Sequence, residues 1–167
     1  RKPVTAEVEK MLVCIGRKPN SEDMGLDNIG VRTDDKGWII ADEALRTSAS
    51  GVFAIGDILG PAKVMLAHVA STEGEIAAEN AMGGEKAMRY DLVPGAIFTA
   101  PEVADVGVTE SQAAAGGIPV RADSVLFRTL GKAQVLGELS GQAKIVSHGE
   151  TGQVLGVHII GPHATDL

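Results

Sequence analysis

The 167-residue chain has few or none of the sequence features that mark several common classes of protein. Its single cysteine, Cys14, excludes an internal disulfide and fits a reduced, cytoplasmic compartment. Aromatic residues make up only 3% of the sequence, so Val, Ile, Leu and Ala must build most of the core. No uncharged apolar run reaches the ~18 residues of a membrane-spanning helix. The opening residues, "RKPVTAEVEK", lack the apolar stretch of a signal peptide.

Blocks of basic residues are also absent. The formal net charge is −7, which argues against nucleic acid or an anionic membrane as a partner. With 44% hydrophobic and 22% charged residues, the chain has the composition of a folded globular protein.

The common enzyme signatures are missing as well. There is no G-x-G-x-x-G, no P-loop and no C-x-x-C in the sequence. The histidines lack a metal-binding spacing, so no metal site is predicted; they are His68, His148, His158 and His163. No residue of this chain is predicted to be catalytic.

Apolar patterning in the first half predicts strands and one helix. We predict a short strand over 8–15 with Cys14 in the core, brief strands within 26–47, and a fully buried, parallel-type strand over 51–57. The best helical pattern covers 64–84 and ends near a glycine. Three glutamates of this segment fall outside its apolar positions, and we assign them to the polar face of the helix: Glu73, Glu75 and Glu79.

The second half of the chain has a different sequence pattern. From about Tyr90 onward, β-type runs alternate with turns, and one short helix begins at Thr109 and Glu110. This pattern predicts an α+β layer, with a domain boundary between 83 and 91. Both ends interrupt a structural element, so we expect a piece of a longer protein.

A single carboxylate, Asp57, closes the apolar run "VFAIGD". In an open α/β sheet, ligands bind beyond the carboxyl ends of the strands, and Gly56 leaves room for one. A carboxylate there can accept hydrogen bonds from a diol such as a ribose or a ribitol. The following helix would offer unpaired N–H groups nearby. The alternative, that Asp57 caps a helix or a turn, remains open at this point.

Five stretches together resemble one family. Thr47, followed after four residues by "VFAIGD", resembles the second flavin-binding motif of the pyridine-nucleotide disulfide oxidoreductases. "VCIGRKPN" resembles the end of the NAD domain in that family, and "MLAHVASTEG" resembles the helix that follows the flavin motif. "IFTAPEVADVGVTESQA" and "LGVHIIGPHATDL" resemble its interface domain. The order along the chain is that of the family.

The resemblance implies a fold of mixed class, α/β and α+β. Part of an FAD/NAD-binding Rossmann-like domain would be followed by an α+β dimerisation domain with an antiparallel sheet. The implied domains are 1–16, the end of the NAD-binding domain; 17–86, the central segment of the FAD-binding domain; and 87–167, the interface domain, truncated at its C-terminus.

The resemblance also implies a set of cofactor-binding residues. Asp57 would bind the ribitol of FAD beside Gly56, and Gly16 would contact NAD. The flavin would be lined by the start of the helix, at Met65, Leu66, Ala67 and His68.

The implied activity is that of a homodimeric flavoenzyme with FAD and NAD as cofactors. The "MLAH" run and the "GVHIIGP" ending favour members that oxidise protein-bound dihydrolipoamide, with a lipoyl domain of a 2-oxo acid dehydrogenase complex as partner. Mercuric reductase, glutathione reductase, soluble transhydrogenase and a non-catalytic dimerisation module are the alternatives. The redox cysteines are absent, and the acid–base histidine and glutamate are expected beyond Leu167, so we expect this chain alone to be inactive.

Overall fold

A computed structural model describes residues 3–167 of the chain. The chain divides into two compact units, one ending at Met88 and the other comprising Arg89–Leu167. None of the helices in the described residues is long and apolar enough to cross a membrane.

The first unit is organised around one helix, α1 (Ala67–Ala81). The helix predicted over 64–84 is therefore confirmed, although it begins at Ala67 and not at Val64. It ends in a Schellman motif, because Gly83 takes φ +98 and the N–H of Gly84 donates to the carbonyl of Glu79 at 3.0 Å. Two short 3₁₀ turns, Leu26–Ile29 and Gly56–Leu59, complete its helical structure.

The core of the first unit lies between α1 and the segment that contains the second 3₁₀ turn. Leu45, Ala54, Leu59 and Ala77 are buried in one cluster, with Ile39, Phe53 and Ile76 packed against it. Beside this cluster the only tryptophan of the chain, Trp38, is buried against the backbone at Gly60. A Cβ at Gly60 would lie 2.6 Å from the Trp38 ring.

The strands predicted for the first unit are wrong as regular elements. Within residues 3–88 the structure has only isolated antiparallel bridges: Thr33 with Ile39, Ala41 with Thr47, and Arg46 with Phe53. A parallel-type strand needs neighbours for its N–H and C=O groups. Because the described part supplies no parallel neighbour, and only the single bridge at Phe53 for the second segment, the segments 8–15 and 51–57 do not form strands. Cys14, predicted to be core, is exposed for the same reason.

The second unit is a sheet with short helices. Its elements are β1 (Gly95–Ile97), β2 (Glu102–Gly107), α2 (Glu110–Ala115), β3 (Val120–Leu126), α3 (Gly131–Leu136), β4 (Gln142–His148) and β5 (Val154–Gly161). The strand order is β1-β2-β5-β4-β3 and every pairing is antiparallel. The predicted α+β layer with an antiparallel sheet is confirmed. So is the start of α2, where Thr109 forms a capping box with Gln112.

One face of this sheet is covered and the other is largely open. Lys144 of β4 binds Glu110 of α2 at 2.6 Å, which places α2 over the face that Lys144 and the fully buried Val146 share. The intervening Ile145 points to the opposite face and is 44% exposed. Val125, Ala143 and Ile159 pair in register on that opposite face. Val125 is 50% exposed, so an apolar surface is left in solvent.

Candidate functional site

The turn that carries Asp57 is held by its own backbone and by Thr47. The Thr47 hydroxyl donates to the carbonyl of Val52 at 2.9 Å, and the Thr47 N–H donates to the same oxygen at 3.0 Å. The chain then runs extended to Ile55 and turns at Gly56, whose φ of +74 suits glycine. This gives a physical role to the threonine of the predicted flavin motif, since it closes the loop leading into "VFAIGD".

The sequence led us to expect a buried Asp57 carboxylate, and this prediction is wrong. Its side chain is 50% exposed, and its Oδ2 lies 2.5 Å from Nη1 of Arg17. The turn itself is closed by the backbone, with the Gly60 N–H donating to the Asp57 carbonyl at 3.0 Å. The carboxylate is therefore met by a cation and by solvent, which explains how the chain tolerates a charge after an apolar run. Half of it is accessible to a ligand.

The start of α1 provides the second part of the candidate site. Met65 and Leu66 precede the helix; Leu66 is its extended N-cap and makes no side-chain cap, while Ala67 and His68 are exposed in the first turn. The first turn contains no acidic side chain that would neutralise the helix dipole. This end can therefore stabilise an electron-rich group.

A cavity of about 360 Å³ brings together two of the predicted site residues, Gly16 and Met65, but its lining does not include the others. Gly16, Arg17 and Met65 line it, with Cys14, Trp38 and Pro61. Gly16, predicted to touch NAD, is exposed with φ +82. Since Arg17 also binds Asp57, this one cation connects the cavity to the candidate flavin carboxylate.

Sequence reasoning missed Glu73. This side chain is only 1% exposed, and its Oε2 accepts a hydrogen bond from the Gly56 N–H at 2.6 Å. The assignment of Glu73 to the polar face of α1 is wrong. The signal was present: Val69 and Ala77, four residues before and after it, belong to the buried stripe.

Two of the histidines make hydrogen-bond contacts within the second unit. His158 Nε2 lies 3.2 Å from the Val108 carbonyl, and His163 Nδ1 lies 3.2 Å from Asp166. Across residues 3–167 no group of His, Cys, Asp and Glu side chains is arranged to hold a metal ion.

In the second unit, the Thr165 N–H and hydroxyl both donate to Glu102 and lower the pKa of that carboxyl.

Comparison with known families gives the class of protein. The pyridine nucleotide-disulphide oxidoreductase profile matches residues 2–74, and the dimerisation-domain profile of the same family matches residues 93–167. The first profile matches the unit that contains Asp57 and the cavity. The second matches the unit that contains the antiparallel sheet.

Individual relatives agree along nearly the whole chain. Dihydrolipoyl dehydrogenase of Chlamydia muridarum is 47% identical over 161 residues, which is 96% of this chain and 34% of the relative. The enzyme of the same name from Bacillus subtilis is 46% identical over 165 residues, or 98% of this chain and 34% of the relative. The chain thus spans about a third of the length of these curated relatives.

Solved structures give the same result. The crystal structure of LpdA from Mycobacterium tuberculosis superposes with a TM-score of 0.84 at 34% identity, covering 91% of this chain and 33% of that one. The HOCl-induced flavoprotein disulfide reductase RclA from Escherichia coli, at 23% identity, shares the fold with a TM-score of 0.76, over 90% of this chain and 35% of that one. The chain belongs to the pyridine nucleotide-disulphide oxidoreductase family, as the sequence resemblance predicted.

Proposed function

We propose that the protein carrying this chain is a flavin-dependent disulfide oxidoreductase of the dihydrolipoyl dehydrogenase type. It would oxidise protein-bound dihydrolipoamide and pass the electrons through a disulfide and FAD to NAD. The observation that carries the proposal is the 47% identity to dihydrolipoyl dehydrogenase over 96% of this chain, which extends across both units. Identity confined to one unit would support only a shared module.

The residues of the first unit fit one part of a bound FAD. Asp57 offers a half-exposed carboxylate, a natural acceptor for the hydroxyls of a ribitol chain. Gly56, next to it, has no side chain to keep a ligand away. The flavin, when bound, supplies the redox chemistry.

The start of α1 would contribute electrostatics and shape. Met65 and Leu66 present partly exposed apolar surface, and the first turn at Ala67 and His68 presents the positive end of the helix dipole. These features would favour negative charge on an electron-rich ring edge. Gly16, which lines the same cavity as Met65, would leave space for NAD.

The open sheet face of the second unit supports the assembly part of the proposal. We propose a homodimer in which the apolar surface around Ile145 is covered. A lipoyl domain as substrate carrier and a cytoplasmic location complete the proposal; the relatives' names support the first and the cysteine usage supports the second.

A substrate panel tests the proposal on the full-length protein. We expect NADH formation with dihydrolipoamide, and little turnover when the protein is offered NADPH with glutathione disulfide or Hg²⁺. Preference for either of those pairs would place the protein among the related reductases. A flavin-free protein that only dimerises would reduce its role to that of an assembly module.

A further inference from the structure

We propose that Glu73 is a positioning residue of the flavin site, which holds the Gly56–Asp57 turn in the geometry that presents the Asp57 carboxylate. The inference rests on the proposed function, because it assumes that Asp57 binds flavin.

The burial of Glu73 is the first observation. The side chain is 1% exposed on α1, in the stripe that packs into the core. An ionisable group in such a place is costly unless hydrogen bonds meet it. Leu or Met at this position would fill the same space without that cost. A specific polar task is therefore the physical reason for a carboxylate here.

The task is visible in the hydrogen bond to Gly56. Oε2 of Glu73 accepts a hydrogen bond from the Gly56 N–H at 2.6 Å. Gly56 is the residue where the chain leaves the extended conformation, at φ +74. The bond fixes the Ile55–Gly56 peptide, one residue before Asp57, so it constrains the turn from which the Asp57 side chain leaves the backbone.

Close packing supports the same contact. A Cβ on Gly56 would lie 3.3 Å from the Ala70 Cβ, and a Cβ on Gly74 would lie 3.4 Å from Cδ1 of Ile55. Small residues thus bring α1 and the turn together on both sides of the Glu73 bond. Because α1 also begins with two of the predicted flavin-lining residues, Ala67 and His68, Glu73 links the Asp57 turn to the helix that carries them.

The experiment measures FAD affinity of the full-length apoprotein together with its melting temperature. Glu73→Gln keeps an acceptor at the same reach, and we expect affinity close to wild type. Glu73→Asp draws the carboxylate back by one methylene, and Glu73→Ala removes it. Both should weaken FAD binding roughly tenfold, as the loss of a partner that orients a ligand-binding side chain typically does.

The matched control is Asn80→Ala. Asn80 is a buried polar residue on the same helix, about two turns further on, and its amide donates to Ala44 and Lys86 carbonyls at 3.0 and 2.8 Å. The substitution should lower the melting temperature and leave FAD affinity near wild type. If Glu73→Ala and Asn80→Ala lose affinity only in proportion to stability, or if Glu73→Asp binds FAD like wild type, Glu73 is merely structural and the inference is overturned.

A double-mutant cycle with Asp57→Asn separates this inference from the proposed function. If Glu73 acts through Asp57, Glu73→Ala should cost much less affinity in the Asp57→Asn background than in wild type. An equal loss in both backgrounds overturns the positioning role while the proposed site stands. If Asp57→Asn alone leaves FAD affinity unchanged, the proposed site fails and the inference falls with it.

Discussion

Replacing Asp57 by asparagine separates a ligand-binding carboxylate from a structural one. The substitution keeps the shape of the side chain and removes its charge and one acceptor. The ion pair with Arg17 joins side chains that are 62% and 50% exposed, and such pairs contribute about 0.2–1 kcal/mol. The free energy of unfolding of the apoprotein should therefore fall by no more than about 1 kcal/mol.

The expected effect on flavin binding is larger. A hydrogen bond to a charged group contributes about 1.5–3 kcal/mol. Losing one to a ribitol hydroxyl should weaken FAD binding roughly tenfold to a hundredfold. The assay is an FAD titration of the full-length apoprotein, followed by flavin fluorescence, with a thermal melt of the same sample.

The chain offers a closely matched control in Glu79→Gln. Glu79 pairs with Lys86 at 2.5 Å, and the two side chains are 54% and 62% exposed, so it resembles the Asp57 pair in geometry and solvent exposure. We expect a similarly small change in stability and no change in FAD affinity. The reasoning is refuted if Asp57→Asn and Glu79→Gln have the same FAD affinity.

Four further outcomes are expected. Gly60→Ala should lower the melting temperature and shift the emission of Trp38 to the red, because the new Cβ would lie 2.6 Å from its ring at a backbone φ of +77. Thr165→Ala should lower stability at neutral pH. The backbone N–H of residue 165, the larger cause of the lowered pKa of Glu102, remains in the variant, and only the contribution of the hydroxyl is lost. That contribution is present above the ordinary pKa of glutamate and disappears as the pH falls through the lowered one, so the melts of variant and wild type should converge in acid. The chain of 167 residues should associate weakly in sedimentation through the open sheet face, and Ile145→Lys should abolish that association; a wild-type chain that stays monomeric at every concentration contradicts this. The same chain should lose added FAD on gel filtration, since its sequence contains no G-x-G-x-x-G to hold the pyrophosphate; a stably yellow chain contradicts this.

Local patterns in the sequence predicted the elements that are stabilised locally. The 3.6-residue periodicity located α1, and Thr109 marked the start of α2, where it caps the first turn. The sheet of the second unit was also predictable, because the segment that contains each of its strands also contains the strands that pair with it. β4 and β5 are even joined directly by a short turn.

Elements that depend on distant partners were predicted less well. The apolar runs around Cys14 and Phe53 have strand composition, but composition does not supply neighbouring strands, and within residues 3–88 only isolated bridges form. The prediction of a buried Asp57 failed for the same reason. Its Arg17 partner lies 40 positions away in the sequence, and nothing local indicates that pairing.

Glu73 shows a different limit. Hydrophobicity assigns a glutamate to the solvent face, so the residue was placed there although its spacing matched the buried stripe. Only the structure shows the Gly56 N–H that gives the carboxylate a reason to be inside. A charged residue at a buried helical position therefore indicates a polar partner elsewhere in the fold.

The most direct test is a crystal structure of the full-length protein with FAD bound. We predict that a carboxylate oxygen of Asp57 lies within hydrogen-bonding distance, about 2.5–3.0 Å, of a ribitol hydroxyl. The start of α1 should face the flavin ring in the same structure. A flavin bound elsewhere, with Asp57 still paired only to Arg17, would contradict the assignment of this turn as a flavin site.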